Sequence, residues 1–100
     1  MAWRKVIRRT RPSVEVDWEL FRVDVLNYIK TNYDDTGKRT SFSMSSSEDG
    51  LVLTYTSVFS SEATKNEFAN DSTISTEAAR RNQINADNDI TKEVTVDEEV

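Results

Sequence analysis

The sequence predicts an α+β domain with its elements in the order β-α-β-β-α-β. Three observations predict it. Residues Arg39–Ser72 hold two alternating runs that meet at Glu48-Asp49-Gly50 and lead straight into a helical segment. Alternation marks half-buried strands, and Asp-Gly between two such runs is the strongest short hairpin signal. Asp17–Tyr33 carries apolar residues three and four apart, the period of a helix. A further alternating run, Ile90–Val100, closes the chain. With right-handed crossovers this order builds a split βαβ, ferredoxin-like layer: four antiparallel strands with helices on one face, the first and third strands central and the fourth at an edge. One hundred residues make one domain, 1–100.

Each element has its own justification. The first strand is expected over Trp3–Arg11, although neither of its faces is clean: Trp3, Lys5, Ile7 and Arg9 alternate with Arg4, Val6, Arg8 and Thr10. Lys and Arg stems can cover apolar surface while their charges reach water. Pro12 ends the run because it offers no ladder donor. In the first helix, Trp18, Phe21, Val25, Tyr28 and Ile29 form one stripe, and Asp17 or Ser13 is placed to cap its start. Asp34-Asp35-Thr36-Gly37 stops it, with Gly37 free to take a positive φ.

The second strand, Lys38–Ser46, turns Thr40, Phe42 and Met44 one way and its serines the other. The third, Leu51–Phe59, has Leu51, Leu53, Tyr55 and Phe59 on one face and the β-branched Val52, Thr54, Thr56 and Val58 on the other, so both faces are fit to be covered. Ser60 or Ser61 caps a second helix at Glu62–Ala69. Asn70–Thr73 interrupts it, and a further helical piece near Ile74–Ala86 turns Ile74, Ala78 and Ile84 inward, with the Arg80-Arg81 pair at the edge or outside. The expected core includes Phe21, Val25, Phe42, Leu53, Tyr55 and Phe68.

Composition restricts the chemistry. There is no cysteine, which excludes disulfides, thiolate catalysis and Cys-type zinc sites, and no histidine, which removes the usual general base and the commonest metal ligand. Asp34-Asp35, Glu48-Asp49 and Asp87-Asn88-Asp89 lack the spacing of a calcium loop and read as turn chemistry. No catalytic residue, metal ligand or cofactor site is assigned. No run approaches 18 apolar residues, so no helix is expected to span a membrane. The basic N-terminus lacks the apolar stretch of a signal peptide. The expected location is the cytoplasm or the inside of a viral particle.

Charge is uneven. Residues 1–11 hold Arg4, Lys5, Arg8, Arg9 and Arg11 with no acid, while the last fourteen residues hold six acids and one lysine. The net charge of −5 argues against nucleic acid and for an acidic protein partner, such as Asp97, Glu98 and Glu99 of another copy. Trp18, Tyr55 and Phe59 are candidates for lining an apolar pocket, although aromatic residues more often anchor a core or interface.

Ser57–Ile74 reads SVFSSEATKNEFANDSTI. It resembles the junction between third strand and second helix in antibiotic biosynthesis monooxygenase-like domains: a strand ending in an aromatic residue (Phe59), a Ser-x-Glu-Ala helix start (Ser60 to Ala63), an aromatic residue about a turn later (Phe68), then a break (Asn70-Asp71). The resemblance covers about a fifth of the chain and implies a ferredoxin-like monomer whose sheet packs face to face as a dimeric α+β barrel. The family's histidine ligand for haem has no counterpart here, and its Asn, Trp and His set for quinone oxygenation cannot be placed. The Asn/Asp/Ser/Thr-rich, low-proline composition has the style of small bacteriophage proteins. The expected function is therefore a non-enzymatic assembly protein that self-associates through its sheet or docks into a larger complex such as a virion. The alternative is a cofactor-independent monooxygenase-like enzyme acting on a hydrophobic aromatic substrate.

Overall fold

The computed structural model describes all residues, Met1–Val100. Its elements are β1 (Trp3–Thr10), α1 (Val23–Ile29, continued by a π-helical turn over Lys30–Asp34), β2 (Arg39–Ser46), β3 (Val52–Phe59), α2 (Glu62–Asn70), α3 (Ser72–Asp87) and β4 (Thr91–Glu99). The strands form one antiparallel sheet in the order β2-β3-β1-β4. This is the ferredoxin-like arrangement expected from the element order, with β1 and β3 central and the helices on one face.

The local signals act where the sequence placed them. The Ser47–Leu51 turn has Gly50 at φ +76°, and Asp49 accepts from Ser47 Oγ at 2.6 Å and from Leu51 N–H at 3.0 Å. Gly37 takes φ +78° just after the π-helical turn. Ser61, not Ser60, caps α2, in a reciprocal capping box with Thr64. Asp71 ends α2 and caps α3 through Thr73 N–H and Ile74 N–H.

Two expectations fail for physical reasons. The first helix starts at Val23 rather than Asp17. Side chains of α3 capture the backbone that would have made its first turns: Asn85 Oδ1 accepts from Glu19 N–H at 3.0 Å, Glu77 Oε2 accepts from Arg22 N–H at 2.6 Å, and Arg80 donates to Leu20 O at 3.2 Å. Glu19–Arg22 is therefore non-helical, with backbone groups satisfied by side chains of α3 instead of by a helical ladder. Phe42, expected in the core, is 46% exposed. It lies on edge strand β2, at the open rim of the space between the helices and the sheet.

Register defines the two sheet faces, because directly opposed residues share a face. Ile7, Tyr55 and Met44 are opposed on the helix side, and Val6, Thr56 and Ser43 on the other. Between β1 and β4 the register shifts at Val6/Ile7: Val6 opposes Val96 and Ile7 opposes Val94. This bulge at Thr95 turns Val94 and Val96 to opposite faces, where strict alternation would have kept them together. The apolar core lies at one end of the helix–sheet layer: Val25, Ile29, Tyr33 and Ile74, packed by Phe21, Tyr28 and Phe68. Edge-to-face contacts of Phe68 with Tyr33 (5.0 Å) and Phe59 (5.2 Å) join that cluster to β3.

Candidate functional site

The basic N-terminal strand and the acidic C-terminal strand meet within one chain. Because β4 lies beside β1, Arg4 opposes Glu98, Lys5 opposes Asp97 and Arg8 opposes Glu93. Arg4 and Glu98 form a loose, exposed pair at 3.9 Å. Asp97 accepts from Trp3 Nε1 at 2.6 Å and pairs with Lys65 at 3.6 Å. The Trp3 hydrogen bond, opposed by partial burial and helped by Lys65, holds its carboxyl below the usual range. Arg8 and Glu99 are exposed.

The remaining basic residues do not form an outward patch. Arg9 is only 1% exposed and donates to Asn82 Oδ1 at 2.7 Å. Arg11 is spent on its own chain, donating to Gly50 O and Val16 O, each at 2.8 Å, with its guanidinium 4.7 Å above the Trp18 ring. Of the three pocket candidates, Tyr55 alone lines the cavity between the helix layer and the sheet. Trp18 sits under Arg11, and Phe59 is buried against Phe68.

That cavity, about 280 Å³, lies between the helix layer and the sheet. The space opens toward edge strand β2, whose Phe42 and Met44 stand at its mouth. Leu20, Leu26, Phe42 and Met44 form its rim and are 45–51% exposed. Phe21, Ile29 and Phe68 form its inner wall, and Ile7, Tyr55 and Ser57 its floor on the sheet.

Three cations reach the cavity: Lys5, Arg39 and Arg81. Arg39 is held by Asp34 through two hydrogen bonds of 2.6 and 2.9 Å. Lys5 and Arg81 enter no ion pair. Arg81 stacks on Phe21, 4.1 Å from the ring centroid, and its buried Nε has no hydrogen-bond partner. Burial, reinforced by the charge of Arg9, brings its pKa down to about 10. The Tyr55 hydroxyl is also buried with no partner in hydrogen-bond geometry, although its side chain interacts with the Arg9 guanidinium; Arg9 and Arg81 lie 5.9 and 5.7 Å from its ring centroid. No acid lines this cavity.

Arg81 was expected at the edge of its helix or outside it. The phase from Ile74 holds the signal that places it: Ile74, Glu77, Arg81 and Asn85 follow one another at steps of three and four, so they share a face. Reading only apolar residues as inward hides that face, because three of its four members are polar.

No protein-family profile matches the chain, and no curated protein does. Among solved structures, that described as "Structure of Rv0793 from Mycobacterium tuberculosis" is similar over 98% of this chain and 99% of that one, at 15% identity and a TM-score of 0.47. The ferredoxin-like assignment stands on this chain's own strand order.

Proposed function

We propose that this protein is a non-enzymatic assembly module that uses the sheet face its helices leave uncovered, either to pair with a second copy or to dock into a larger complex, of which a virion is one kind. The observation that supports the reading is that face. Ser43, Thr56, Val6 and Val96 make one row across all four strands, with Val52, Thr54 and Val58 around it on β3. Half-buried β-branched residues suit a sheet surface that is packed against something, and no element of this chain covers them. A two-fold related copy would set the same row against itself, with Arg4 and Glu98 at the rim. Since the charged strands pair within the chain, the central row rather than the termini drives the contact.

Sedimentation velocity over a range of protein concentrations tests this. The wild type is expected to run as a dimer or larger species. Val96→Asp, at a half-exposed position on an edge strand, is expected to leave the fold intact by circular dichroism and shift the protein to monomer. A wild-type monomer at high concentration, with no partner recovered from the native source, would defeat the proposal.

The cavity favours a second reading, a cofactor-independent monooxygenase-like enzyme of the kind its family resemblance implies. A hydrophobic aromatic substrate would lie over Tyr55 between α1 and β2, with the tyrosine hydroxyl as the inward polar group. Dioxygen uptake with aromatic quinol substrates, abolished in Tyr55→Phe, is the expected result. No uptake and no change in melting temperature with these compounds would reject it.

A further inference from the structure

The inner face of β1, β4 and α3 carries a concentration of positive charge that the rest of this acidic chain does not neutralise. Arg9 and Lys92 oppose each other in the sheet, and Lys5 lies two residues along β1 from Ile7 on the same face. Arg81 reaches the same place from α3. None of the four forms an ion pair. The nearest acids are already engaged: Asp97 by Trp3 and Lys65, and in part by the charge of Lys5 opposite it; Glu77 by Arg80 and the Arg22 N–H; Asp34 by Arg39. Burial weakens the hold of Arg9 and Arg81 on their protons, the charge of Arg9 adding to it at Arg81 and Tyr55 acting against it at both, while Lys92, which is exposed, marks the outer edge of the group. A cation placed in such surroundings costs free energy unless a counter-charge completes it.

The vacant hydrogen-bonding capacity points to the same spot. Arg81 Nε is buried and unpartnered, and the Tyr55 hydroxyl, on a side chain only 7% exposed, has the Arg9 guanidinium beside it but no partner in hydrogen-bond geometry. Both belong to residues that line the cavity. Beyond them the walls are apolar and open to solvent at Leu20, Leu26, Phe42 and Met44. A ligand satisfying this surface has a negative head and an apolar body.

We propose that the cavity binds an amphipathic organic anion, a carboxylate on a short apolar body, with the head at Arg81, Lys5 and the Tyr55 hydroxyl and the body between Phe21, Phe42 and Met44. The planar guanidinium of Arg81 supplies donors in the fork that matches a carboxylate, and the Lys5 ammonium supplies a point charge beside it. The volume of about 280 Å³ sits just under the range of ~300–1,000 Å³ for drug-sized ligands, so the ligand is a small one, its apolar body a short chain or a single ring. This requires binding alone. It depends neither on self-association nor on turnover, which sedimentation and dioxygen uptake report separately.

Isothermal titration calorimetry of the full chain with octanoate and with octan-1-ol tests it. Octanoate is expected to bind, to raise the melting temperature, and to exceed octan-1-ol in affinity by at least tenfold. Arg81→Met keeps the apolar stem against Phe21 and removes the charge; it is expected to weaken octanoate at least tenfold and to leave octan-1-ol unchanged. Lys5→Gln, read by the same titration, is expected to show the same selective loss, and it decides the matter should Arg81→Met not fold. Equal affinity for acid and alcohol, octanoate binding indifferent to Lys5→Gln, or no binding at millimolar octanoate would each overturn the assignment.

Discussion

Glu77 is an acid on the inward face of a helix, 6% exposed, and its partners explain how it stays charged. Arg80 donates to both of its oxygens, at 2.7 and 2.8 Å, and Arg22 N–H adds a third bond at 2.6 Å. The Arg80 hydrogen bonds outweigh burial, and with the Arg22 N–H they bring its pKa from 4.5 down to about 2. A carboxyl with a depressed folded-state pKa stabilises the fold fully above its unfolded value and loses that contribution as pH falls through the folded one. Acid unfolding should therefore steepen between pH 4.5 and about 2. Glu77→Ala should cost about 1–3 kcal/mol at neutral pH, because it leaves the Arg22 N–H and Arg80 without their acceptor, and should flatten the pH profile in that window. Urea unfolding followed at several pH values checks both; an unchanged profile in the variant would remove Glu77 from the acid response. Asp71 is a second acid of this kind. It accepts from the hydroxyls of Tyr28 and Tyr33, both at 2.7 Å, and caps α3. Burial works against its charge, but those tyrosines and the two cap N–H groups keep its pKa below the usual range.

At the scale of elements, what the sequence made legible divides by the range of the interaction. The hairpin, a serine cap on α2 and the positive φ of Gly37 are set by residues within four positions of one another and are readable from the chain, although which of Ser60 and Ser61 makes the cap is not. The stripe of Trp18, Phe21, Val25, Tyr28 and Ile29 has helical spacing, but only its second half is helix. The difference is made by Glu77, Arg80 and Asn85, more than fifty residues away, which take the backbone hydrogen bonds of Glu19–Arg22. Periodicity cannot report a competitor that distant. The bulge at Thr95 is similar: one extra residue flips the face of every residue beyond it, and nothing in a run of alternating valines and acids marks the position. The cavity was legible in part. Its floor at Tyr55 was legible as an inward strand position, while Arg81, its principal charge, lay in a pair of arginines that composition alone would assign to solvent.

At the scale of the molecule, the core is small. Eight apolar residues are buried, and the aromatic chain from Tyr33 through Phe68 to Phe59 is the main bridge between helices and sheet. A domain of this length has a folding stability of roughly 5–15 kcal/mol, so one well-packed ring is a large share of it. Phe59 is 2% exposed at the end of a central strand, and Phe42 is 46% exposed on the cavity rim. The alternation of their strands gave both an inward position, but only Phe59 has helices above it. Truncating Phe59 to Ala removes transfer energy and leaves a hole that Phe68 and Tyr33 cannot fill together, at a cost of about 3–5 kcal/mol. Truncating Phe42 to Ala removes a ring already half in water, at about 1 kcal/mol. Urea titrations of the two variants at one fixed protein concentration should show the midpoint falling several-fold further for Phe59→Ala, with similar slopes if both unfold from the same native state. Equal losses would mean that Phe42 is covered in solution. The covering body would then lie on the helix side of β2, over the cavity mouth, and not on the valine row of the opposite face, so this pair of variants also separates the two surfaces on which the assembly and ligand proposals rest.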